Sequence, residues 1–179
     1  MQIPNRVVLI TGASEGIGAA CAVEFARSGA RLVLTSRSEA GLQKAAAAAG
    51  AEAGGAGKAD TLIVPGDITD DSSRRRLVDR ALDRFGAIDI VINNAGLGLY
   101  APAWSVPMEE ARRLMEINFF APLALTQLVV PQMRERRSGF IVNIGSIAGK
   151  VTLPWMTLYS VSKYALGSLT EGLRMELVR

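Results

Sequence analysis

The sequence predicts an α/β fold, a doubly wound parallel sheet with helices on both faces. Two observations support this prediction. Short runs of β-branched and large apolar residues recur along the chain, and such runs are typical of strands buried on both faces. Stretches of helical composition separate these runs, and the alternation of strands and helices is the pattern of a parallel α/β sheet.

Strands and helices alternate from the first residues onward. Gly29 is well placed as the C-cap of the first helix, and Asp70 or Asp71 as the N-cap of the third. An alanine- and glycine-rich stretch at 50–57 is expected to be a flexible surface connection. No repeat or boundary interrupts the pattern, so residues 1–179 are expected to form a single domain. The strands are expected at residues 7–10, 31–35, 61–65, 88–92 and 139–144, and the helices at 19–27, 39–49, 72–85, 108–117, 118–136 and from 158 to the end.

The fifth strand is expected to lie at an edge of the sheet. The doubly wound fold commonly has six strands in the order 3-2-1-4-5-6, whereas this sequence supplies five. Residues 139–144 are apolar and carry no charge or proline that would protect an edge. We therefore expect that further strands follow Arg179 or that something else covers this edge.

Composition excludes several classes of function. The chain has no histidine, which excludes histidine-based triads and histidine-ligated metals. Its single cysteine, Cys21, argues further against a zinc site, so no metal is expected. The formal net charge is only +3, and the arginines at 74–76 and 134–137 resemble solvated helix faces and ends. We therefore expect no nucleic-acid partner.

The sequence also carries information about location. Apolar residues make up 49% of the chain, but no uninterrupted apolar run is long enough to span a bilayer. The chain enters its first strand directly, which leaves no room for a signal peptide. Cys21 falls within the first helix, where a small buried apolar role is expected, and the lack of disulfides fits a reducing compartment. We expect a cytoplasmic protein with no membrane partner.

The glycine-rich turn after the first strand is the centre of the functional prediction. Gly12 allows a tight turn, and Gly16 leaves room for a ligand to approach backbone N–H groups at the positive N-terminus of the next helix. Gly18 allows that helix to pack closely on the strand. This arrangement is typical of a phosphate-binding loop. An ordinary glycine-rich turn between strand and helix is the alternative at this point.

Ser36 and Arg37 end the second strand, where dinucleotide-binding folds discriminate between cofactors. An acidic residue near this point bonds the ribose 2′-hydroxyl of NAD, whereas an arginine accommodates the 2′-phosphate of NADP. The acidic residue is missing and a guanidinium is present, so NADP is favoured over NAD. A plain surface arginine is the alternative for Arg37, and the carboxylate of Glu15 in the glycine loop counts against NADP.

Tyr159 and Lys163 are four residues apart on a predicted helix, so their side chains share one face. A free tyrosine is a poor base at neutral pH, and a neighbouring ammonium favours the phenolate. A tyrosine in this setting can donate a proton to a carbonyl oxygen, or remove one from an alcohol, while hydride moves to or from the carbon. By itself this spacing is weak evidence, because it occurs often by chance.

Two polar residues strengthen that interpretation. Ser146 lies just past the end of the fifth predicted strand, where open α/β sheets bind ligands, and its hydroxyl is placed to bond a substrate oxygen. Asn118 lies between two apolar residues where two helical stretches join. A buried amide needs partners, and a water held there would link Lys163 to solvent. A turn or N-cap serine and a helix-cap asparagine are the alternatives.

Together these motifs resemble the short-chain dehydrogenase/reductase family over essentially the whole chain. The resemblance implies a Rossmann-like fold and metal-free interconversion of an alcohol and a carbonyl compound with a nicotinamide cofactor. The motifs that carry it, in order and with the usual spacing, are Thr11-Gly12-x-x-x-Gly16-x-Gly18, Asp67, Asn93-Asn94-Ala95-Gly96, Asn118, Ser146 and Tyr159-x-x-x-Lys163.

The resemblance also implies roles for individual residues. Tyr159 would be the catalytic acid/base, and Lys163 would favour its ionised form and bind the nicotinamide ribose. Ser146 would stabilise the substrate oxygen, and Asn118 would hold a proton-relay water. The other implied contacts concern the cofactor: Ser14, Ile17 and the glycines Gly12, Gly16 and Gly18 at the pyrophosphate and neighbouring ribose, Ser36 and Arg37 as the residues that favour NADP, Asp67 and Ile68 at the adenine, Asn94, Ala95 and Gly96 along the cofactor, and Asn93 as a brace for the sheet.

The sequence thus predicts an NADP-preferring oxidoreductase. Family members usually continue past Leu177 into a sixth strand, a substrate loop and a seventh strand, none of which is in this sequence. The alternative is therefore a truncated, non-catalytic module that binds NADP or a partner. A small apolar carbonyl or alcohol substrate is suggested by the residues that flank the site, although core packing explains them nearly as well: Tyr100, Trp104, Val151, Pro154 and Trp155.

Self-association is a further expectation. The stretch 118–136 is apolar nearly all round, and such a helix needs cover on more than one side. Family members commonly pair the helices that correspond to 118–136 and to the last helix. We therefore expect a homodimer or homotetramer, with ordinary core packing as the alternative explanation of the apolar residues.

Overall fold

The computed structural model describes residues 2–53 and 60–177. Within these ranges the sheet has five strands in the order β3-β2-β1-β4-β5, which confirms the predicted doubly wound order. Strand β1 pairs in parallel with β2 on one side and with β4 on the other, and β2 pairs in parallel with β3. The strands are β1 (Val7–Thr11), β2 (Arg31–Thr35), β3 (Thr61–Ile63), β4 (Ile90–Asn93) and β5 (Phe140–Asn143).

Helices occupy the predicted stretches, with ends that differ by a few residues. Helix α1 begins at Gly16 rather than at residue 19, and α2 continues to Glu52. A π-helical turn, Glu116–Phe120, joins α4 to α5. Residues 54–59 of the expected connection and the last residues, 178–179, lie outside the described ranges. The helices are α1 (Gly16–Arg27), α2 (Glu39–Glu52), α3 (Asp71–Phe85), α4 (Met108–Met115), α5 (Ala121–Glu135) and α6 (Thr157–Leu177).

The chain divides into two compact units. The first comprises residues 1–95 and 126–142 and contains strands β1 to β4, most of β5 and most of α5. The second comprises residues 96–125 and 143–179 and contains α4, the π-helical turn and α6.

The core of the first unit is built on its central strands. All of β1 and β4 is buried, as the uninterrupted apolar runs predict for strands covered on both faces. Strand β3 is shorter than predicted. Val64 and Gly66 still donate backbone hydrogen bonds to Leu34 and Ser36 at 3.0 Å, but Pro65 between them has no N–H to give.

The predicted N-cap of α3 is confirmed, whereas the C-cap of α1 is Ser28 and the predicted Gly29 is the residue after it. Asp70 is the N-cap of α3, and hydrogen bonds from the Ser72 hydroxyl and the Ser73 N–H lower the pKa of its carboxyl to about 2. Gly86 ends α3 in the left-handed region with φ 76°. Gly29 follows α1 with φ 78°, and its N–H donates to the carbonyl of Ala26 at 2.9 Å.

A buried carboxylate ties the start of the sheet together. Asp89 is 7% exposed and accepts hydrogen bonds from the Val7 N–H at 2.9 Å and from Arg136 at 2.9 Å, with Arg6 at 3.3 Å. Burial acts to raise the pKa of Asp89, but these hydrogen bonds and positive charges outweigh it, and the pKa lies below its usual value. The residue therefore links β1 and the residue that follows α5 to the start of β4.

Two expectations about single residues are wrong. The prediction that residues 74–76 form a solvated helix face fails for Arg74, which is buried and donates to the carbonyl of Ile68 at 2.8 Å. The long aliphatic part of an arginine side chain can be buried while its guanidinium reaches a backbone oxygen. Cys21 is half-buried rather than buried, and desolvation raises the pKa of its thiol.

Strand β5 presents an apolar edge, as predicted. It stands last in the strand order, and Phe140 and Val142 are 49% and 43% exposed. Although no uninterrupted apolar run reaches membrane length, the helical stretch Met108–Glu135 contains an 18-residue window with mean hydropathy 1.4, and by length and composition alone it could cross a membrane. A core helix of a soluble protein passes the same test, so this is weak evidence of location.

Candidate active site

The first cluster of predicted site residues lies where β1 and β4 end, in the first unit. Thr11 is the last residue of β1, and its hydroxyl oxygen accepts hydrogen bonds from the N–H groups of Asn94 and Ala95, both at 3.0 Å. The Asn94 side chain donates in turn to the carbonyl oxygens of Thr11 at 3.0 Å and Gly12 at 3.1 Å. These bonds fix the glycine loop, residues 12–18, to the segment that follows β4.

Two glycines of this loop are required by the geometry. Gly12 has φ 63°, and a Cβ there would lie 2.9 Å from the Cα of Ala95. A Cβ on Gly18 would lie 2.6 Å from Nδ2 of Asn94 and closer still to the carbonyl oxygen of Gly12. Close packing at Gly18 is therefore confirmed, but the surface it meets is the loop and Asn94 rather than the strand.

The start of α1 has the features of an anion site. The first N–H groups of a helix have no partner within the helix, and the N-cap residue, Glu15, makes no capping hydrogen bond with its side chain. Ile17 is 60% exposed. Ser14 packs against α2, because a Cβ on Gly41 would lie 2.7 Å from the Cβ of Ser14. Such a helix start suits a bound phosphate group.

Ser36 and Arg37 follow β2, as predicted. The Ser36 hydroxyl accepts a hydrogen bond from the Ser38 N–H at 3.2 Å and donates to the Ser38 carbonyl at 3.3 Å, which closes a tight turn before α2. Arg37 is exposed, and within the described ranges no hydrogen bond or ion pair restrains its guanidinium. Its charge is therefore free to meet a ligand anion.

Asp67 and Ile68 lie in a turn between β3 and α3. Oδ1 of Asp67 accepts hydrogen bonds from the N–H and the hydroxyl of Thr69, at 2.9 and 2.8 Å. Arg74, on α3, donates a hydrogen bond from its guanidinium to the Ile68 carbonyl oxygen. Arg74 thus supports the segment that the family resemblance assigns to the adenine.

The second cluster belongs to the second unit and centres on α6. Lys163 is 6% exposed, and its Nζ lies 5.9 Å from the centroid of the Tyr159 ring, so the four-residue spacing brings the two side chains together. Nζ donates a hydrogen bond to the carbonyl oxygen of Ile144 at 2.8 Å. Burial lowers the pKa of Lys163 below its usual value.

Ser146 follows β5 and is the N-cap of a short 3₁₀ turn, Ile147–Gly149. Its hydroxyl oxygen accepts a hydrogen bond from the Ala148 N–H at 3.1 Å, which leaves the hydroxyl hydrogen for another acceptor. A Cβ on Gly149 would lie 2.9 Å from the Lys163 carbonyl oxygen. The turn that begins at Ser146 is therefore packed against the helix that carries Lys163.

Asn118 is 1% exposed and makes three hydrogen bonds. Its Oδ1 accepts from the Leu97 N–H at 2.8 Å, and its Nδ2 donates to the Leu97 carbonyl and to the Ser162 hydroxyl, both at 2.9 Å. The Ser162 hydroxyl donates to the Tyr159 carbonyl at 2.7 Å. Asn118 thus connects the segment after Gly96 to the helix of Tyr159.

The position of Asn118 in the chain is unusual as well. It lies inside the π-helical turn, where the Ala121 N–H bonds the Glu116 carbonyl five residues earlier. The structure thus places Asn118 within a continuous helical stretch rather than at a helix cap. Turns of this kind inside α-helices recur at functional sites.

Sequence reasoning assigned no supporting role to three residues: Thr11, Arg74 and Ser162. Thr11 carried a signal, since it is the polar last residue of an otherwise apolar buried strand. Ser162 carried a weaker one, because a serine three residues after Tyr159 on a helix can bond the Tyr159 carbonyl. No local pattern indicates that Asn118 is its second partner, or that Arg74 turns inward.

Known proteins resemble this chain over nearly its whole length. The family described as short chain dehydrogenase matches residues 6–179. The mouse "Dehydrogenase/reductase SDR family member 7B" is 36% identical over 176 residues, which covers 97% of this chain and 53% of the mouse protein. The "Ketoacyl reductase HetN" of Nostoc sp. is 38% identical over 176 residues, 98% of this chain and 60% of that protein. An NAD+-bound xylitol dehydrogenase superposes with a TM-score of 0.91 at 31% identity, covering 99% of this chain and 66% of the other.

These matches define a class of oxidoreductases with a Rossmann-like sheet. The chain belongs to the short-chain dehydrogenase/reductase family. It spans about half the length of the mouse relative and three fifths of the Nostoc one. The superposed xylitol dehydrogenase holds NAD+, a nicotinamide dinucleotide.

Proposed function

We propose that this protein is an NADP-preferring oxidoreductase that interconverts an alcohol and a ketone or aldehyde. One observation carries the proposal: the buried ammonium of Lys163 lies 5.9 Å from the ring of Tyr159. The two side chains are therefore neighbours on one face of α6, where a phenolic O–H can exchange a proton with a substrate oxygen. Membership of an oxidoreductase family supports the same reaction class.

The proposed chemistry is reversible and balanced. A bound nicotinamide cofactor supplies or accepts the hydride at the carbonyl carbon. In the reductive direction Tyr159 donates its phenolic proton to the carbonyl oxygen, so hydride and proton together produce the alcohol. Ser146 donates its hydroxyl hydrogen to the same oxygen and orients it. In the oxidative direction the Tyr159 phenolate accepts the proton of the alcohol.

Lys163 and Asn118 would support that proton transfer. An ammonium has three N–H donors, and the Ile144 carbonyl takes one, which leaves two for ribose hydroxyls of the cofactor. Burial strips water from the Lys163 ammonium, so its attraction for the phenolate is stronger than that of an exposed lysine. Oδ1 of Asn118 has one lone pair beyond its bond with Leu97, which suits the proposed relay water.

The residues of the first cluster fit a dinucleotide. A side chain at Gly12 or Gly18 would collide with backbone or with Asn94, so the loop stays bare at the start of α1. We propose that the pyrophosphate meets this loop at Ser14, Gly16 and Ile17, that the adenine lies at Asp67 and Ile68, and that Asn94, Ala95 and Gly96 line the cofactor. The preference for NADP rests on the exposed Arg37 beside Ser36.

A pair of tyrosine variants tests this proposal. Tyr159→Phe keeps the ring but removes the proton, and should lower NADPH-dependent reduction of small apolar ketones and aldehydes by about 100-fold or more. Tyr164→Phe is the matched control, because Tyr164 lies on the same helix but donates to the Lys150 carbonyl. Turnover in Tyr159→Phe equal to that in Tyr164→Phe would refute the proposed role.

A non-catalytic module that binds NADP or a partner is the second candidate function. The observation that favours it is the bare glycine loop at the start of α1, which suits phosphate binding whether or not any reaction occurs at Tyr159. Titration calorimetry with NADPH, run beside the ketone and aldehyde panel, separates the two. Binding without oxidation of NADPH by any carbonyl compound would favour the module.

We also propose that the chain self-associates in the cytoplasm as a homodimer or homotetramer, without a nucleic-acid or membrane partner. An open groove of about 430 Å³ beside α6 supports association, because its lining is mainly apolar: Phe119, Ala165, Leu169 and Leu173. The single cysteine supports a reducing compartment. A monomer mass in light scattering over a range of concentrations would refute self-association.

A further inference from the structure

The two tryptophans of the chain lie together on the surface of the second unit. The ring centroids of Trp104 and Trp155 are 6.3 Å apart, with the planes inclined at 51°. Trp104 is 85% exposed and Trp155 is 47% exposed. Large aromatic side chains are seldom left so open without a binding role.

The backbone holds both rings in place. Trp104 lies in a 3₁₀ turn, Ala103–Ser105, which follows Pro102 directly. Trp155 has φ 64°, in the left-handed region that a bulky side chain rarely adopts. The Ala101 N–H donates to the Trp155 carbonyl at 2.7 Å, which ties the two segments together. Backbone strain of this kind is concentrated at ligand-binding sites.

The two chain segments that carry the rings are uncharged. Residues 97–107 and 151–159 contain no aspartate, glutamate, lysine or arginine. Tyr100 and Val151 add exposed apolar area at 73% and 54%. An anionic ligand would find no counter-charge on these segments, whereas a neutral ring would lose little hydration there.

The aromatic pair is also continuous with the proposed catalytic helix. Trp155 precedes Tyr159 by four residues, and the Ser160 N–H bonds the Met156 carbonyl at 2.8 Å at the start of α6. A ligand ring that contacts Trp155 is therefore bound only four residues along the chain from Tyr159, the proposed acid/base.

We propose that Trp104 and Trp155 form an aromatic platform for a neutral aryl ring of the substrate, which makes aryl ketones and the corresponding benzylic alcohols the preferred class. The inclined rings offer one face for offset stacking and one edge for a T-shaped contact, the two arrangements that aromatic pairs favour. A saturated ring of equal size gains the apolar contact but neither of these. The inference rests on the proposed function, since that function defines the reacting group as a carbonyl or alcohol.

Binding of two probes of matched size tests the platform without requiring turnover. Acetophenone and cyclohexyl methyl ketone are titrated into the full chain and followed by ligand-observed NMR. Aromatic pairing predicts that acetophenone binds about three- to tenfold more tightly. Quenching of tryptophan fluorescence should accompany binding, because both tryptophans of the chain lie in the platform.

Three variants locate the effect. Trp104→Leu keeps an apolar side chain, and Trp155→Asn keeps a residue type that tolerates the left-handed region; each should remove most of the preference for acetophenone. Met175→Ala is the control, because Met175 is 66% exposed on α6 and belongs to neither tryptophan segment. It should leave the preference unchanged.

The possible outcomes separate this inference from the proposed function. Equal binding of the two ketones, or no acetophenone binding up to its solubility limit, overturns the platform whether or not NADPH is oxidised. Self-association that Trp104→Leu abolishes also overturns it, because a second copy would then cover the rings. If cyclohexyl methyl ketone is reduced as fast as acetophenone, the platform is refuted and the proposed function is not. If acetophenone binds more tightly but neither ketone is reduced, the proposed function is refuted and the platform is not.

Discussion

Replacing Ser162 by alanine should destabilise the second unit measurably. The Ser162 hydroxyl is fully buried, accepts a hydrogen bond from Nδ2 of Asn118 at 2.9 Å and donates to the Tyr159 carbonyl at 2.7 Å. Ser162→Ala leaves a buried N–H of Asn118 without its partner. An unsatisfied buried donor costs roughly 1–3 kcal/mol, so we expect the free energy of unfolding to fall by about 2 kcal/mol.

Urea unfolding measures this effect, with Ser168→Ala as the matched control. Ser168 is exposed on the same helix, so its replacement should change the free energy of unfolding by less than about 0.5 kcal/mol. A double-mutant cycle adds Asn118→Ala. Once the Asn118 amide is gone, Ser162→Ala should cost at least about 1 kcal/mol less than it does alone.

Two results would refute this reasoning. One is a Ser162→Ala effect no larger than that of Ser168→Ala. The other is strict additivity in the cycle, which would show that the bond from Asn118 to Ser162 contributes nothing. Either would remove the physical link between the π-helical turn and the helix of Tyr159.

Three further predictions concern the first unit. Gly18→Ala should lower the unfolding free energy, measured in urea, by about 1–3 kcal/mol, because the new Cβ meets the glycine loop. The control Gly167→Ala on α6 has open space around its Cβ and should raise the unfolding free energy by roughly 0.5–1 kcal/mol. Equal effects of the two variants would contradict the packing argument. Arg37→Gln should weaken NADP binding roughly tenfold relative to NAD in calorimetry, and Arg80→Gln should not; an unchanged ratio would exclude Arg37 as the discriminator. Burial acts to raise the pKa of Asp89, but its hydrogen bonds and neighbouring charges hold the pKa below the usual value. The stabilisation by Asp89 is therefore complete above about pH 4 and is lost as pH falls through the folded-state pKa. Acid should lower the unfolding free energy of the unaltered chain more than that of Asp89→Asn, and equal pH dependence of the two unfolding free energies would disprove this.

Much of the first unit could be predicted from sequence because its signals are local. A buried parallel strand needs an uninterrupted apolar run, and the run at residues 7–10 is buried as predicted. The tight turn at Gly12 and the cap at Asp70 depend only on neighbouring residues. The strand order followed from the general rule for doubly wound sheets.

Other features could not be predicted because they depend on residues distant in sequence. The partner of Ser162 is 44 residues away. A tryptophan rarely adopts the left-handed backbone conformation seen at Trp155, and this conformation accompanies a hydrogen bond from the distant Ala101 N–H. Composition suggested apolar flanks to the site but not the pairing of the two rings.

Deuterium transfer from NADPH to a ketone shows whether the protein catalyses hydride transfer with Tyr159 as its acid. NADPH that carries deuterium at the transferable position is incubated with the protein and acetophenone, and the product is examined by mass spectrometry and NMR. We expect 1-phenylethanol with one deuterium on the carbinol carbon, formed by the unaltered chain and by Tyr164→Phe but not by Tyr159→Phe. Alcohol without deuterium on that carbon, or the same labelled alcohol from Tyr159→Phe, would contradict it.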